Sequence, residues 1–295
     1  MAITTTTATA SRVTATERRR VVGQIIRYFF LVLLGLMYAM PFVWMISLAL
    51  KPDVDLNNIP PNLIPTRIAW ENFSTALFQP MLYFPAFAVN TVYYVFLSGL
   101  GELVSSSIVA YGFARIGFRG ATPLFGLVLA TMMIPFQVTL IPEYVIFKQL
   151  GWIDTYLPLI IPSWFGVAFY IFLFRQFFLT IPREIDDAAM IDGANHFQIL
   201  FRIMIPLSVP AILTCLALSV VSRWNDFFGP LIYINTNAKQ VLAVALTYFN
   251  VPNQASPQNL LMAAAVVTVI PVIVMFLFLQ DYFTQGVTMT GLREG

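Results

Sequence analysis

The chain has 295 residues, of which 59% are hydrophobic and 10% are charged, and its mean hydropathy is +0.79. Soluble domains carry about 45–50% apolar and about 25% charged residues. The composition therefore excludes an ordinary soluble protein and indicates an integral membrane protein. The net charge of +2 says little about partners. The single cysteine, Cys215, excludes an intramolecular disulfide, and its place in an apolar run is typical of a small buried hydrophobe.

Apolar runs divide the chain into a tail, a membrane domain and a second tail. Residues 1–24 are rich in Thr and Ala without an apolar period, which predicts a disordered cytoplasmic tail. Residues 25–285 form one predicted transmembrane domain, and residues 286–295 a cytoplasmic tail. A helix needs about 20 apolar residues to cross a bilayer, whereas barrel strands alternate over about 10 residues. The continuous runs thus predict an all-α integral membrane protein with six transmembrane helices, at about 28–50, 87–109, 123–146, 155–174, 204–223 and 260–280.

The basic residues predict the orientation of these spans. With the N-terminus inside, eleven of the 16 Lys and Arg residues fall in cytoplasmic segments. The other five are Lys51, Arg67, Lys148, Arg223 and Lys239. This bias predicts that both termini are cytoplasmic, and that residues 182–206 lie on the cytoplasmic side between spans four and five.

Residues 182–206 combine helix caps with small side chains. Pro182 suits the first turn of a helix, and Gly193 suits a left-handed C-terminal cap. Asn195 and Gln198 have the spacing of a capping box that begins a second helix. These caps predict that residues 182–206 form a helix, a tight turn and a second helix. The segment is either a solvated loop with good caps or, because four small residues allow close approach, a docking surface formed by Ala188, Ala189, Gly193 and Ala194.

The spacing of Asp187-Ala188-Ala189, Gly193, Ile203 and Ile205-Pro206 resembles the cytoplasmic EAA loop of ABC importer permeases. The family usually has Glu at the Asp187 position and Leu at the Ile205 position. Four further stretches resemble the carbohydrate-type permeases, and the chain is similar to the six-span maltose-type subunit. They are AYGFARIGFRG (110–120), MIPFQVTLIPEY (133–144), WNDFFGPL (224–231) and LQDYFTQGVTMTGLREG (279–295).

This resemblance implies the type I ABC importer transmembrane fold and a permease that carries a mono- or oligosaccharide across the bacterial cytoplasmic membrane. It implies as partners an ATPase dimer that binds ATP and Mg, a second homologous permease, an extracytoplasmic sugar-binding protein and membrane lipid, with no nucleic acid. This chain would bind no cofactor or metal and have no catalytic residue. The resemblance assigns ATPase coupling to Glu184, Asp187, Ala188, Ala189, Asp192, Gly193 and Ala194, and contact of the tail with the ATPase to Gly286, Thr288 and Gly291.

Several other side chains are candidates for the substrate path. Asn90, Tyr94, Trp224 and Asn225 combine amide and aromatic groups that suit a sugar, although they also suit interface anchors and helix caps. Glu102 is a carboxylate within span two, for which we favour a packing or subunit-contact role over ion coupling. His196 has no second histidine or cysteine nearby, which disfavours a metal site.

The alternatives predict different features. An ion-coupled secondary sugar transporter would work without an ATPase and usually contains internal repeats, which the sequence lacks. An amino-acid or metal importer permease would share the coupling loop but not the flanking stretches. The sequence contains no GxxxxGK[ST] motif and no nucleophile elbow, which argues against ATP binding or enzymatic activity by this chain.

Overall fold

A computed structural model describes residues 15–78, 84–249 and 258–291 as a helical protein. Short 3-10 and π-helical turns connect or extend several of its α-helices. The α-helices are α1 (Ala15–Ala49), α2 (Glu71–Phe78), α3 (Phe84–Tyr111), α4 (Ala121–Thr131), α5 (Phe136–Gln149), α6 (Leu157–Ile160), α7 (Ala168–Thr180), α8 (Arg183–Ile191), α9 (His196–Ile199), α10 (Ile205–Leu207), α11 (Val209–Trp224), α12 (Phe228–Tyr233), α13 (Leu242–Ala245) and α14 (Gln258–Gly291).

Four of the helical segments are long and apolar enough to cross a membrane, and they cover Arg20–Ala49, Phe84–Ile116, Leu157–Thr180 and Gln258–Gln280. Two bent pairs raise the number to six if each pair forms one span. The first pair joins α4 and α5 at 93°, and the second joins His196–Leu207 to α11 at 80°. Each predicted apolar run therefore coincides with a helix or a bent pair of helices.

One predicted boundary needs correction. Helix α1 begins at Ala15, so residues 15–24 continue the first span as helix and are not part of a disordered tail. Between Ala15 and Arg20 the sequence contains no Pro or Gly, and Ala, Glu and Arg are good helix formers. At the other end α14 continues as helix to Gly291, which is compatible with a cytoplasmic tail that begins at residue 286. Residues 1–14 and 292–295 lie outside the described part of the chain.

The start of the fifth span also differs from the prediction. Met204 lies in a π-helical turn that continues α9, and the chain bends only after Leu207. Pro206 and Pro210 flank this bend, and proline is a common cause of helix kinks because it cannot donate a backbone hydrogen bond. The long apolar helix of this span is therefore α11, and residues 204–207 belong to the segment that precedes the bend.

Buried side chains form three apolar clusters along the bundle. The first packs the end of α3 and α7 against α8 and the segment after it, and it contains Phe174, Phe178 and Met204. Cys215 belongs to the same cluster and is 1% exposed, which confirms its prediction as a buried residue. This cluster gives the 182–206 segment a rigid base on the membrane helices.

Small residues let α3 pass through the centre of the bundle. At Gly101, a Cβ atom would lie 2.6 Å from the indole of Trp164. Ser98, Ser106 and Ser107 are also buried on this helix. Since small side chains permit close approach of helices in a membrane, α3 can contact both α7 and the turn that precedes it.

Candidate functional site

The 182–206 segment forms the predicted helix, turn and helix. Gly193 has φ = +82°, and its N–H donates to the carbonyl of Met190 at 3.0 Å. Asn195 Oδ1 accepts a hydrogen bond from Gln198 N, and Asn195 N donates to Gln198 Oε1, both at 2.9 Å. The left-handed cap and the capping box are thus confirmed. Pro182 occupies the N-cap position of α8, one residue earlier than predicted.

One face of this segment is exposed and carries most of the predicted docking residues, but not Ala189. Ala188, Asp187, Glu184, Asp192 and Gly193 are exposed, and Ala194 is half-buried. Ala189 is buried against the first apolar cluster, so its methyl group supports the turn from below. Beside the exposed acidic and small residues are two large apolar side chains, Ile191 and Phe197, which are 87% and 69% exposed.

A buried ion pair attaches α8 to the end of the second span. Arg115 Nε lies 3.4 Å from Asp186 Oδ2, and the two side chains are 3% and 9% exposed. Arg115 Nη2 also donates to the carbonyls of Phe178 and Ile181, both at 2.6 Å. Burial raises the pKa of Asp186, and the neighbouring Arg115 guanidinium opposes this rise. Asp187 points outward from α8, and the neighbouring Asp186 points inward and fixes this helix to the bundle.

His196, the first residue of α9, contacts Tyr111 at the end of α3. Its Nδ1 is 3.3 Å from the Tyr111 hydroxyl, and the two rings meet edge to face with centroids 6.2 Å apart. Arg183 Nη2 also reaches the Ala114 carbonyl at 3.5 Å. These contacts tie the turn to α3 and its extension. Sequence reasoning missed Arg115 and Asp186, although the quoted stretch 110–120 contains that arginine.

A second charged pair lies inside the bundle. Arg223 Nε donates to Glu102 Oε1 at 2.8 Å, and its Nη2 donates to the same oxygen. Ser219 Oγ donates to Glu102 Oε2 at 2.5 Å, and the Glu102 side chain is 3% exposed. The opposite charge and the hydrogen bonds offset the cost of burying the carboxylate. Arg223 therefore belongs to the bundle, in the last turn of α11, and is not one of the outer loop cations that the charge count predicts.

Hydrogen bonds continue from this pair to the turn after α11. Arg223 Nη1 donates to the Tyr94 hydroxyl at 3.1 Å, and Tyr94 donates to Asp226 Oδ2 at 2.6 Å. Asp226 Oδ1 accepts from the N–H of Gly229 at 3.2 Å. A chain of polar groups therefore connects α3 and α11 with α12.

Beside this network is a cavity of about 360 Å³. Its volume is within the range of about 300–1,000 Å³ that is common for small-molecule sites. Its lining combines charged and aromatic side chains, among them Phe136, Glu143, Arg223, Asp226, Phe228 and Tyr233. Sequence reasoning did not single out Glu143 or Tyr233. The quoted stretches 133–144 and 224–231 nevertheless contain Glu143 and Asp226.

The four predicted path residues lie near this region but are not among the residues that line the cavity. Asn90 Nδ2 donates to the carbonyls of Ala238 and Gln240 at 2.9 and 3.0 Å. Trp224 Nε1 donates to the Thr268 carbonyl at 3.1 Å, and Tyr94 is fully buried. Asn225 is exposed, and its side chain donates to its own helix. Contact of these residues with a sugar stays a prediction.

The predicted tail residues Gly286, Thr288 and Gly291 lie within the last turns of α14. They follow the apolar part of this helix, which ends at Gln280. Their contact with an ATPase also stays a prediction.

Curated relatives match this chain over most of their length. The arabinooligosaccharides transport system permease protein AraQ of Bacillus subtilis is 33% identical over 266 residues, covering 90% of this chain and 94% of the relative. The trehalose/maltose transport system permease protein MalG of Thermococcus litoralis is 30% identical over 279 residues, covering 94% of this chain and 99% of the relative.

A solved structure has the same fold. It is a chain from a bacterial ABC transporter involved in the import of the acidic polysaccharide alginate, with a TM-score of 0.79 and 24% identity over 92% of this chain and 98% of that chain. The family model described as binding-protein-dependent transport system inner membrane component matches residues 102–289. This match includes the 182–206 segment, the Glu102–Arg223 pair and the cavity, and the chain belongs to that family of membrane transport components.

Proposed function

We propose that this chain is a permease subunit of an ATP-driven importer that carries an oligosaccharide across the bacterial cytoplasmic membrane. The observation that carries the proposal is the exposed surface of Asp187, Ala188 and Gly193 on a capped turn fixed to the bundle. The naming of the relatives as sugar transport permeases supports the sugar as cargo.

In this proposal, ATP is bound and hydrolysed by a separate ATPase dimer. Each bent helix pair counts as one span, which makes six spans and puts both termini on one side of the membrane. The distribution of Lys and Arg favours the cytoplasm as that side. The 182–206 segment then faces the cytoplasm, where the ATPase can bind it. A second homologous permease completes the path, and an external sugar-binding protein delivers the cargo.

The segment transmits force because it is stiff. An ATPase dimer can shift a two-state permease only through contacts that differ between its inward-open and outward-open states. Asp187, Glu184 and Asp192 give the docking surface negative charge, and Ile191 and Phe197 give it exposed apolar area. The buried Arg115–Asp186 pair links α8 to the bundle, and in this proposal the two move together.

The test is a pair of matched substitutions at glycines with positive φ. Gly193→Asp adds a side chain on the docking surface, whereas Gly120→Asp adds the same side chain at φ = +89° outside it. Nothing lies within 4 Å of an added Cβ at either position, so the two variants bear similar local strain. We expect Gly193→Asp to insert in the membrane but to lose ATPase binding and uptake.

Gly120→Asp is expected to keep both ATPase binding and uptake. Copurification of the ATPase with the tagged permease and uptake of labelled sugar measure the two properties. Uptake of labelled sugar by the Gly193→Asp variant at the wild-type rate would contradict the proposal. Glu102 is not a candidate for ion coupling, because its carboxylate is already paired with Arg223 inside the bundle.

A further inference from the structure

The cavity beside the Glu102–Arg223 pair contains polar groups that the coupling mechanism leaves unused. Tyr233 lines it and is 3% exposed, and its hydroxyl has no hydrogen-bond partner among the described residues. A buried hydroxyl without a partner is costly, so the Tyr233 hydroxyl is available to bond a ligand or a water molecule in the cavity.

Glu143, in α5, is a half-buried carboxylate at the same cavity. It lines the cavity, and no hydrogen bond or ion pair joins its carboxylate to another residue in the part of the chain that the structure describes. Here the carboxylate faces the cavity, and its acceptor capacity is available to a ligand that donates hydrogen bonds.

The charges around the cavity are unequal. Glu143 and Asp226 contribute two carboxylates to the lining. Among the described residues, Arg223 is the one cation that lines the cavity. Its Nε and Nη2 donate to Glu102, which lies outside the lining. The cavity therefore favours a hydrogen-bond donor without negative charge, since like charges repel each other.

Aromatic side chains complete the lining. Phe136, Phe228 and Tyr233 give it flat apolar surfaces next to the two carboxylates. A sugar ring presents an apolar C–H face for such surfaces, and its hydroxyls donate to carboxylates. We propose that this cavity is a subsite for an uncharged unit of the transported oligosaccharide, and that Glu143 and Asp226 exclude uronate units; this rests on the proposed function.

The direct test measures protection of an introduced thiol. Ser222 is exposed and lines the cavity, so Ser222→Cys places a reactive thiol there. Ser74→Cys, at an exposed position on α2, is the matched control. The native Cys215 is buried and does not compete for a water-soluble maleimide. The assay uses the assembled complex in nanodiscs without its binding protein, so that only the permease selects the sugar.

The probes are maltotriose, arabinotriose and trigalacturonate. We expect a neutral trisaccharide to slow labelling of the thiol introduced at residue 222 at about tenfold lower concentration than trigalacturonate, with no effect on the control thiol. Glu143→Gln should narrow this ratio. If Ser222→Cys does not assemble, Tyr233→Phe gives a second readout, a raised KM for uptake of the neutral trisaccharide with kcat unchanged.

Two results would overturn the subsite while leaving the proposed function intact. The first is protection by trigalacturonate at the same concentration as by a neutral trisaccharide, or a ratio of the two protecting concentrations that is the same in Glu143→Gln as in the parent protein. The second is absence of protection by any of the probes, although the same complex, reconstituted with its binding protein in proteoliposomes, takes up a neutral trisaccharide with ATP. A complex that accumulates no sugar with ATP would instead refute the proposed function, and this proposal with it.

Discussion

Replacing Glu102 by Gln keeps the size of the side chain and removes the charge opposite Arg223. In the native protein Arg223 Nε donates to Glu102 at 2.8 Å, and the Glu102 side chain is 3% exposed. Removing one partner of a buried ion pair costs about 3–5 kcal/mol, because the other charge stays buried without compensation. We expect Glu102→Gln to lower the stability of the permease by this amount.

The assay is a double-mutant cycle on the thermal unfolding midpoint in detergent. At an unfolding entropy of about 2.1 cal/mol/K per residue, a cost of about 3–5 kcal/mol corresponds to a shift of about 5–8 °C for a chain of 295 residues. Glu102→Gln and Arg223→Gln should each lower the midpoint, and the double variant should lie closer to the wild type than either single variant. Shifts that simply add would show that the two groups do not interact, and would refute the reasoning.

Three further predictions concern the anchor, the bundle and an outer-loop pair. Arg115→Met leaves the Asp186 carboxylate buried without its cation, so limited proteolysis should cut residues 182–206 faster, and unchanged protection would contradict an anchoring role. Gly101→Val overlaps an indole ring 2.6 Å from its Cβ, and overpacking of about 1–3 kcal/mol should lower the unfolding midpoint, unlike Gly112→Val, where no atom is close. Hydrogen bonds from Lys239 and backbone N–H groups hold the pKa of Asp154 far below its usual range. Its stabilisation is therefore present above pH about 4 and is lost as the pH falls further, so Asp154→Asn should reduce the acid sensitivity of the midpoint.

Local features were predictable from the sequence because they depend on neighbouring residues. The capping box of Asn195 and Gln198 spans three positions, and Gly193 takes the left-handed conformation that a helix C-terminus favours. The apolar runs predicted the spans for the same reason, since membrane helices satisfy their backbone hydrogen bonds within one segment.

Features that depend on tertiary contacts were not predictable. Glu102 and Arg223 are 121 positions apart, and the position of Arg223 near the end of an apolar run looks like that of a loop cation. The inward direction of Asp186 and the outward direction of Asp187 follow from how α8 packs on the first apolar cluster. Asp186 and Ala189 are three positions apart and therefore share a helix face, which is the buried face in the structure. This spacing is the only local feature that bears on the inward direction of Asp186.

The candidate substrate residues show the same limit. Amide and aromatic chemistry selected Asn90 and Tyr94, whose side chains bond to other parts of the chain. The unpaired groups, Glu143 and Tyr233, lie on different helices and meet only because α5 bends away from α4 and α12 follows α11. The spacing of Glu143 and Tyr233 in the sequence does not predict that they line the same cavity.

The central claim is that this chain imports sugar by coupling to an ATPase. The most direct measurement reconstitutes the permease with its partner permease, its ATPase and its binding protein in proteoliposomes, and follows labelled neutral oligosaccharide. We predict accumulation that requires ATP and persists when proton and sodium gradients are collapsed. Accumulation driven by an ion gradient without ATP, or by the permease alone, would contradict the account.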